Sequence, residues 1–467
     1  MEQALNNDQV EYILYHLHMN HFEMISLARH FSYGNDKTVN SPAIFMPSSN
    51  GGPDKEFTIN DTPVLFPCSP SKEWYVFDKS GNVIFKHDIF KAAFYLLSGY
   101  QETLPYKGDR LMRFKFSDSI QSLFYKMAYP VVNQWFSILE KACFKFCKTH
   151  GIPFRKRSLW QDCDMGVMLT HDVDRVDKWT IGRIKMATLS LMKEKKAHHL
   201  SGVLEATHNY ITGKNNSYWN FRWLKGLGKK YDLRSTWFFL PAGDKKIDAK
   251  YRFSEKRITE LMHFITDSGD EIGLHSTYAS RKNRQIMQAN YEELNSYAPQ
   301  SIHGVRQHWL SFKYPDTLRI HERVGLKYDS SWGFADMIGW RNGYCLPFKP
   351  YDVEKGRIID VWEYPLCLMD RTLFDYMNLD AGGAYKTVKN MVEICEKYSG
   401  LFVLLWHNSF FEEEDYPGVT KLYKDILARL TECKVKSILP GAFLKEIRGR
   451  DQKVHFPDKD SGQVHGS

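Results

Sequence analysis

The sequence predicts an α/β protein, a (β/α)7-8 barrel preceded by a smaller mixed α+β domain. Two observations predict it. From Gly166 onward, short apolar runs alternate with helical patterns, and that alternation implies a parallel sheet. The polar residues of this half also fall at the carboxyl ends of the apolar runs, where α/β folds gather chemistry.

The elements follow in chain order. Residues 1–40 carry an amphipathic helical pattern, and a loop rich in Ser, Asn, Gly and Pro runs from Asn40 to Lys55. Trp74–Phe77 and Val83–Phe85 flank a turn at Lys79–Asn82 and read as a hairpin. Residues 88–99 and 117–149 read as helices, the second interrupted near Pro130. A linker at Gly151–Arg157 closes a domain of residues 1–158, which shows no catalytic constellation and receives no role. The barrel is expected over residues 163–450 and a disordered tail over 451–467. Its strands are expected at Gly166–Asp174, Arg234–Leu240, Asp270–Ser276, Ser301–His308, Tyr328–Trp332, Ile358–Tyr364, Leu401–Trp406 and Val435–Leu439.

Bulk properties exclude several classes. The chain has 467 residues, 43% hydrophobic and 25% charged, as in an ordinary globular protein of two or three domains. The net charge of +8 comes from Lys and Arg spread among acids; no basic block resembles a nucleic-acid arm. None of the eight cysteines forms a C-x-x-C pair, so they read as buried thiols in a reducing compartment. The N-terminus lacks a secretory pattern, and the longest apolar run, Leu401–Trp406, is too short to span a bilayer. No integral membrane segment and a cytoplasmic location are expected.

The chemistry starts from Gly166–Asp174, GVMLTHDVD. Residues two apart face one side of a strand, so Asp172 and Asp174 converge beyond its end. Two such carboxylates either cap the next helix or relieve their repulsion on a cation or a shared proton. Both readings stand on these residues alone. His275, Arg306, His308, Asp329 and His407 also fall at strand ends, and a barrel gathers all those ends on one rim. That joint placement favours chemistry.

The ordered motifs THDVD, GLHST, GVRQH, DSSW and LLWH resemble the polysaccharide deacetylases, the NodB-homology group of carbohydrate esterase family 4. The segments FYLLSGYQE and AYPVVNQW resemble the N-terminal uncharacterised domain that accompanies a Bacteroidetes-type branch of them. The resemblance implies a distorted, NodB-like barrel and a divalent metal ion, zinc. It implies Asp172 as catalytic base, Asp174 and His275 as metal ligands, and Arg306 as the residue that orients the base. Asp329, with Trp332, would support that arginine, and His407 would be the general acid. The second metal histidine of the family should stand where this chain has Ala279. His308, on the same side as Arg306 by strand alternation, is the expected replacement. Among the tryptophans near strand ends, Trp309 and Trp332 are expected to meet substrate.

The implied activity is hydrolysis of an N-acyl group, acetyl by the family's pattern, from a sugar or glycan in carbohydrate metabolism or surface-polysaccharide synthesis. Two alternatives stay open. One is an amidohydrolase acting on a small non-sugar amide, as in allantoinase-like relatives. The other is a carbohydrate-binding relative without metal, a reading that Ala279 motivates.

Overall fold

The computed structural model describes residues 3–34, 42–194, 197–244 and 246–451; the predicted tail after Asp451 lies outside them. In the N-terminal part, β1 (Phe31–Tyr33), β2 (Ile44–Met46), β5 (Tyr75–Phe77) and β6 (Val83–Phe85) form one sheet in the order β1-β2-β6-β5. The predicted hairpin is its antiparallel β5–β6 pair, with Val76 opposite Ile84. Strands β3 (Thr58–Ile59) and β4 (Thr62–Pro63) form a separate small ladder. Helices span Asn7–Asn20, Ile89–Leu97 and Val131–His150. The last begins just after Pro130, its N-cap, and two short 3-10 turns replace the helix expected before it.

The second half is built on β7 (Met165–Val173), β8 (Ser235–Phe239), β9 (Glu271–Ser276), β10 (Gly304–Gln307) and β11 (Tyr328–Asp329). A separate antiparallel pair, β12 (Tyr351–Asp352) and β13 (Arg357–Ile358), follows. The sheet then resumes with β14 (Trp362–Glu363), β15 (Leu368–Met369), β16 (Leu401–Leu405) and β17 (Val435–Ser437). The order is β14-β11-β10-β9-β8-β7-β16-β15, with β17 beside the start of β7, and every pairing is parallel.

Strands β14 and β15 are consecutive in the chain yet occupy opposite edges of the sheet. A flat sheet of eight such strands would hold its edges about 33 Å apart, at roughly 4.8 Å per strand. The link from Glu363 to Leu368 reaches at most about 18 Å. The sheet is therefore curled into an incomplete barrel, and its strand ends converge.

Local expectations fail where strands are short. The run Tyr328–Trp332 pairs only over Tyr328–Asp329, because Ser330 to Trp332 turn inward to bond Arg306, Gln307 and Glu363. Ile358 pairs with Tyr351 instead of joining the main sheet, and β15 was not anticipated. The cysteines are mostly buried, but Cys68 is exposed.

The two halves share one apolar core, in which Tyr12 and Leu96 pack with Tyr344, Phe348 and Trp362. Gly99, inside the FYLLSGYQE segment, sits at φ +80°, and a Cβ there would meet the Trp332 ring at 2.5 Å. Glycine allows both the backbone angle and the close approach. Beside it, buried Glu102 binds the Arg341 guanidinium at 2.6 and 2.8 Å and accepts the Trp332 indole N–H at 2.8 Å. Among the described residues no helix is long and apolar enough to cross a membrane.

Candidate active site

Register carries the functional residues to one rim. His171 and Asp172 on β7 stand opposite Trp237 and Phe238 on β8, and His275 on β9 stands opposite Arg306 on β10. Asp174 follows the last residue of β7, and His407 follows β16 by two residues.

The two aspartates have different partners. Asp172 Oδ1 accepts a hydrogen bond from Arg306 Nη1 at 3.0 Å. The guanidinium is wholly buried and lies over the Phe238 ring. It also donates to Thr170 Oγ1 at 2.7 Å and to the Ser330 carbonyl and hydroxyl, each at 2.8 Å. With its donors fixed this way, Arg306 gives Asp172 one orientation.

Asp174 instead faces three imidazoles. Its Oδ1 is 3.2 Å from His275 Nε2, and its Oδ2 is 3.8 Å from His308 Nε2 and 3.7 Å from His407 Nε2. Burial would raise its carboxyl pKa, but His308, His275 and His407 hold it well below the usual carboxylate range.

Each imidazole is fixed from behind. His275 Nδ1 lies 2.9 Å from the Arg306 carbonyl, so its N–H donates there and Nε2 is left facing Asp174. His308 Nδ1 lies 3.0 Å from Asp248 Oδ1, and His407 Nδ1 lies 2.8 Å from Asp370 Oδ1. The His407 backbone N–H donates to Asp370 as well, at 2.6 Å. Burial opposes charge on His407, but Asp370, Asp174 and Asp172 outweigh it and raise its pKa to about 9.

One carboxylate and two imidazole Nε2 atoms, those of Asp174, His275 and His308, lie within 4.8 Å of one another. Asp174 Oδ1 is buried and accepts no well-formed hydrogen bond. Histidines whose Nδ1–H is taken by a carbonyl or carboxylate present Nε2 lone pairs as metal ligands do, so the donor set fits a divalent cation. Without one, Asp172 and Asp174 push the His275 pKa up against the opposing effect of burial. A proton and a cation compete for the same lone pairs.

The structure alters several expectations. Ala279 is exposed in the turn Tyr278–Lys282. His308 reaches Asp174 from a 3-10 turn that begins where β10 ends, so the turn rather than strand alternation aims it. The next residue, Trp309, takes φ +63°, a left-handed backbone that is a costly exception for a bulky side chain.

Asp329 does not touch Arg306. It bonds the Ser331 backbone and hydroxyl and pairs with His321 at 3.0 Å, while its neighbour Ser330 holds the arginine. Trp332 does not line the cleft; it is fully buried, with its indole tied to Glu102. Trp309 does line the cleft.

The cleft has a volume of about 690 Å³ and holds Asp172, Asp174, His275, His308 and His407 in its lining. The N-terminal part, given no role from sequence, supplies Arg113 to its wall. That guanidinium donates to the Trp309 carbonyl at 2.7 Å and to the Tyr376 hydroxyl at 2.8 Å. Sequence reasoning also missed Asp248 and Asp370. Asp370 had a readable signal, an apolar run Leu366–Met369 ending in an acid, as at Asp172. Asp248 lies outside any strand and had none.

Comparison with known proteins is uneven along the chain. Residues 2–146 match the model of a family of unknown function, DUF7033. No curated protein matches the sequence. Among solved structures, one from Mycobacterium smegmatis, assigned as a polysaccharide deacetylase, is 16% identical, with a TM-score of 0.42 over 65% of this chain and 97% of its own. One from Pseudomonas aeruginosa PAO1 with the same assignment is 14% identical, with a TM-score of 0.42 over 64% and 94%. A family 4 acetyl xylan esterase from Clostridium thermocellum, in complex with a cobalt ion, is 12% identical, with a TM-score of 0.29 over 60% and 90%.

Proposed function

We propose that the cleft hydrolyses an N-acyl group, acetyl in the simplest case, from an amino sugar or glycan. The observation that carries this reading is the division of labour between two adjacent carboxylates. Asp172 is held by a guanidinium, and Asp174 is ringed by imidazole Nε2 atoms. Asp174, His275 and His308 would hold the cation, with zinc suited to one carboxylate and two imidazoles. Such a cation supplies Lewis-acid polarisation of the acyl carbonyl and of water.

The remaining work falls to the chain's own groups. Asp172, oriented by Arg306, accepts the proton of the attacking water. Its Oδ2, free of the arginine, lies 3.5 Å from His275 Nε2 and so faces the centre of the cluster. His407 carries a proton on Nε2 while Asp370 fixes its Nδ1, and it donates that proton to the departing amine. An amide nitrogen leaves poorly without it. Trp309 and Tyr376 offer aromatic faces on the cleft wall, suited to the apolar side of a sugar ring.

The test is acetate release from N-acetylhexosamine oligomers by the full chain, loaded with zinc and then stripped by chelator. Release that requires the cation and is lost in Asp172→Asn supports the reading. A zinc-loaded chain that binds the oligomers and releases no acetate would overturn it in favour of a binding role.

A further inference from the structure

Between β7 and β8 the chain leaves the barrel as two helices packed on each other, Ile181–Glu194 and Ala197–Thr212. Nineteen large apolar side chains are exposed among the described residues, and eight of them lie in this short hairpin. Ile181 is 67% exposed, Met186 64%, Met192 69%, Leu204 63% and Ile211 75%. They are not scattered. Leu200, Leu204, His208 and Ile211 recur at one-turn spacing along one exposed stripe, while Val203 and Ala206 turn inward. An apolar stripe of this extent on a soluble surface marks an interaction face.

We propose that this hairpin docks on an anionic lipid surface. Charge selects that occupant. Residues 181–212 contain five Lys or Arg and only two Glu, so a second copy of the hairpin would bring like charge against like. An anionic bilayer receives both the apolar stripe and the positive charge, as interfacial amphipathic helices do. Beside the hairpin, Arg175, Lys246 and Lys250 line the cleft and make no ion pair among the described residues. Thr180, Gly182, Arg183 and Met186 belong both to the hairpin or its entry and to the cleft lining. Docking therefore sets the cleft mouth beside the lipid. The inference is independent of which bond the cleft hydrolyses.

The experiment is co-sedimentation of the full chain with phosphatidylcholine vesicles, with and without phosphatidylglycerol. Binding that requires phosphatidylglycerol and weakens with salt is expected. The double variant Leu204→Glu/Ile211→Glu should lose it by about tenfold or more, since it removes apolar contact and adds repelled charge. Neither residue lines the cleft, so melting temperature and any acetate release from soluble substrate should be unchanged. Failure of the wild-type chain to bind, or equal binding by the double variant, overturns the proposal. So does a dimer in light scattering that the double variant converts to monomer, which would assign the face to a second copy.

Discussion

The cleft and the hairpin beside it are opposite solutions in one chain. In the cleft the side chains around Asp174 are held from behind: Arg306 by Ser330 and Thr170, His308 by Asp248, His407 by Asp370. In the hairpin the side chains of Met192, Leu204 and Ile211 are mostly exposed. Chemistry on a reacting bond needs atoms fixed in advance, and buried polar networks supply that when every member is satisfied. A surface that receives a fluid partner needs apolar area and charge of one sign, not a fixed geometry.

The sharpest way to break the contrast is at the cleft. Asp172→Asn should lower acetate release by about a thousandfold, or ~4 kcal/mol of barrier, with zinc affinity nearly unchanged in a calorimetric titration. Asp174→Asn should lose both. Equal effects of the two on zinc would erase the division between base and ligand.

Next in size is the brace between the halves. Glu102→Ala leaves the buried Arg341 guanidinium without its partner and should cost about 3–5 kcal/mol in urea unfolding. A loss below 1 kcal/mol on that scale would mean the two halves do not rely on this pair.

A smaller effect is expected one layer behind the proposed cation ligands. Asp248→Ala removes the acceptor that fixes His308 Nδ1–H and should weaken zinc affinity by about 10–100-fold. Unchanged affinity both in this variant and in His308→Ala would show that His308 is no ligand. Last, Leu204→Ser on the hairpin should change stability by no more than about 0.5 kcal/mol, because the side chain is already in water. A loss several times larger would show that the stripe is covered in the free protein.

Legibility followed the length of the element. β7 and β16 are five residues or longer and wholly buried, so their apolar runs were readable and their ends located Asp172, Asp174 and His407. β11 and β14 are two residues each, too short for any periodicity, and their limits were misplaced. In the same segment the family resemblance implies Asp329 as the support of Arg306, and a place near a strand end suggests Trp332 for the substrate. The inward turn at Ser330 gives the first role to Ser330 and sends Trp332 into the core.

What the sequence alone determined was the alternation of strand and helix, the polar strand ends and the convergence of the two aspartates. These rest on local period and sidedness, which neighbouring residues set. Only the tertiary structure decided which groups meet across the rim. It placed His308 against Asp248, His407 against Asp370 and Arg113 of the N-terminal part against Trp309. Those partners lie 60, 37 and 196 residues apart. No local pattern encodes such pairings, because they form only when a curled sheet brings distant loops to one end.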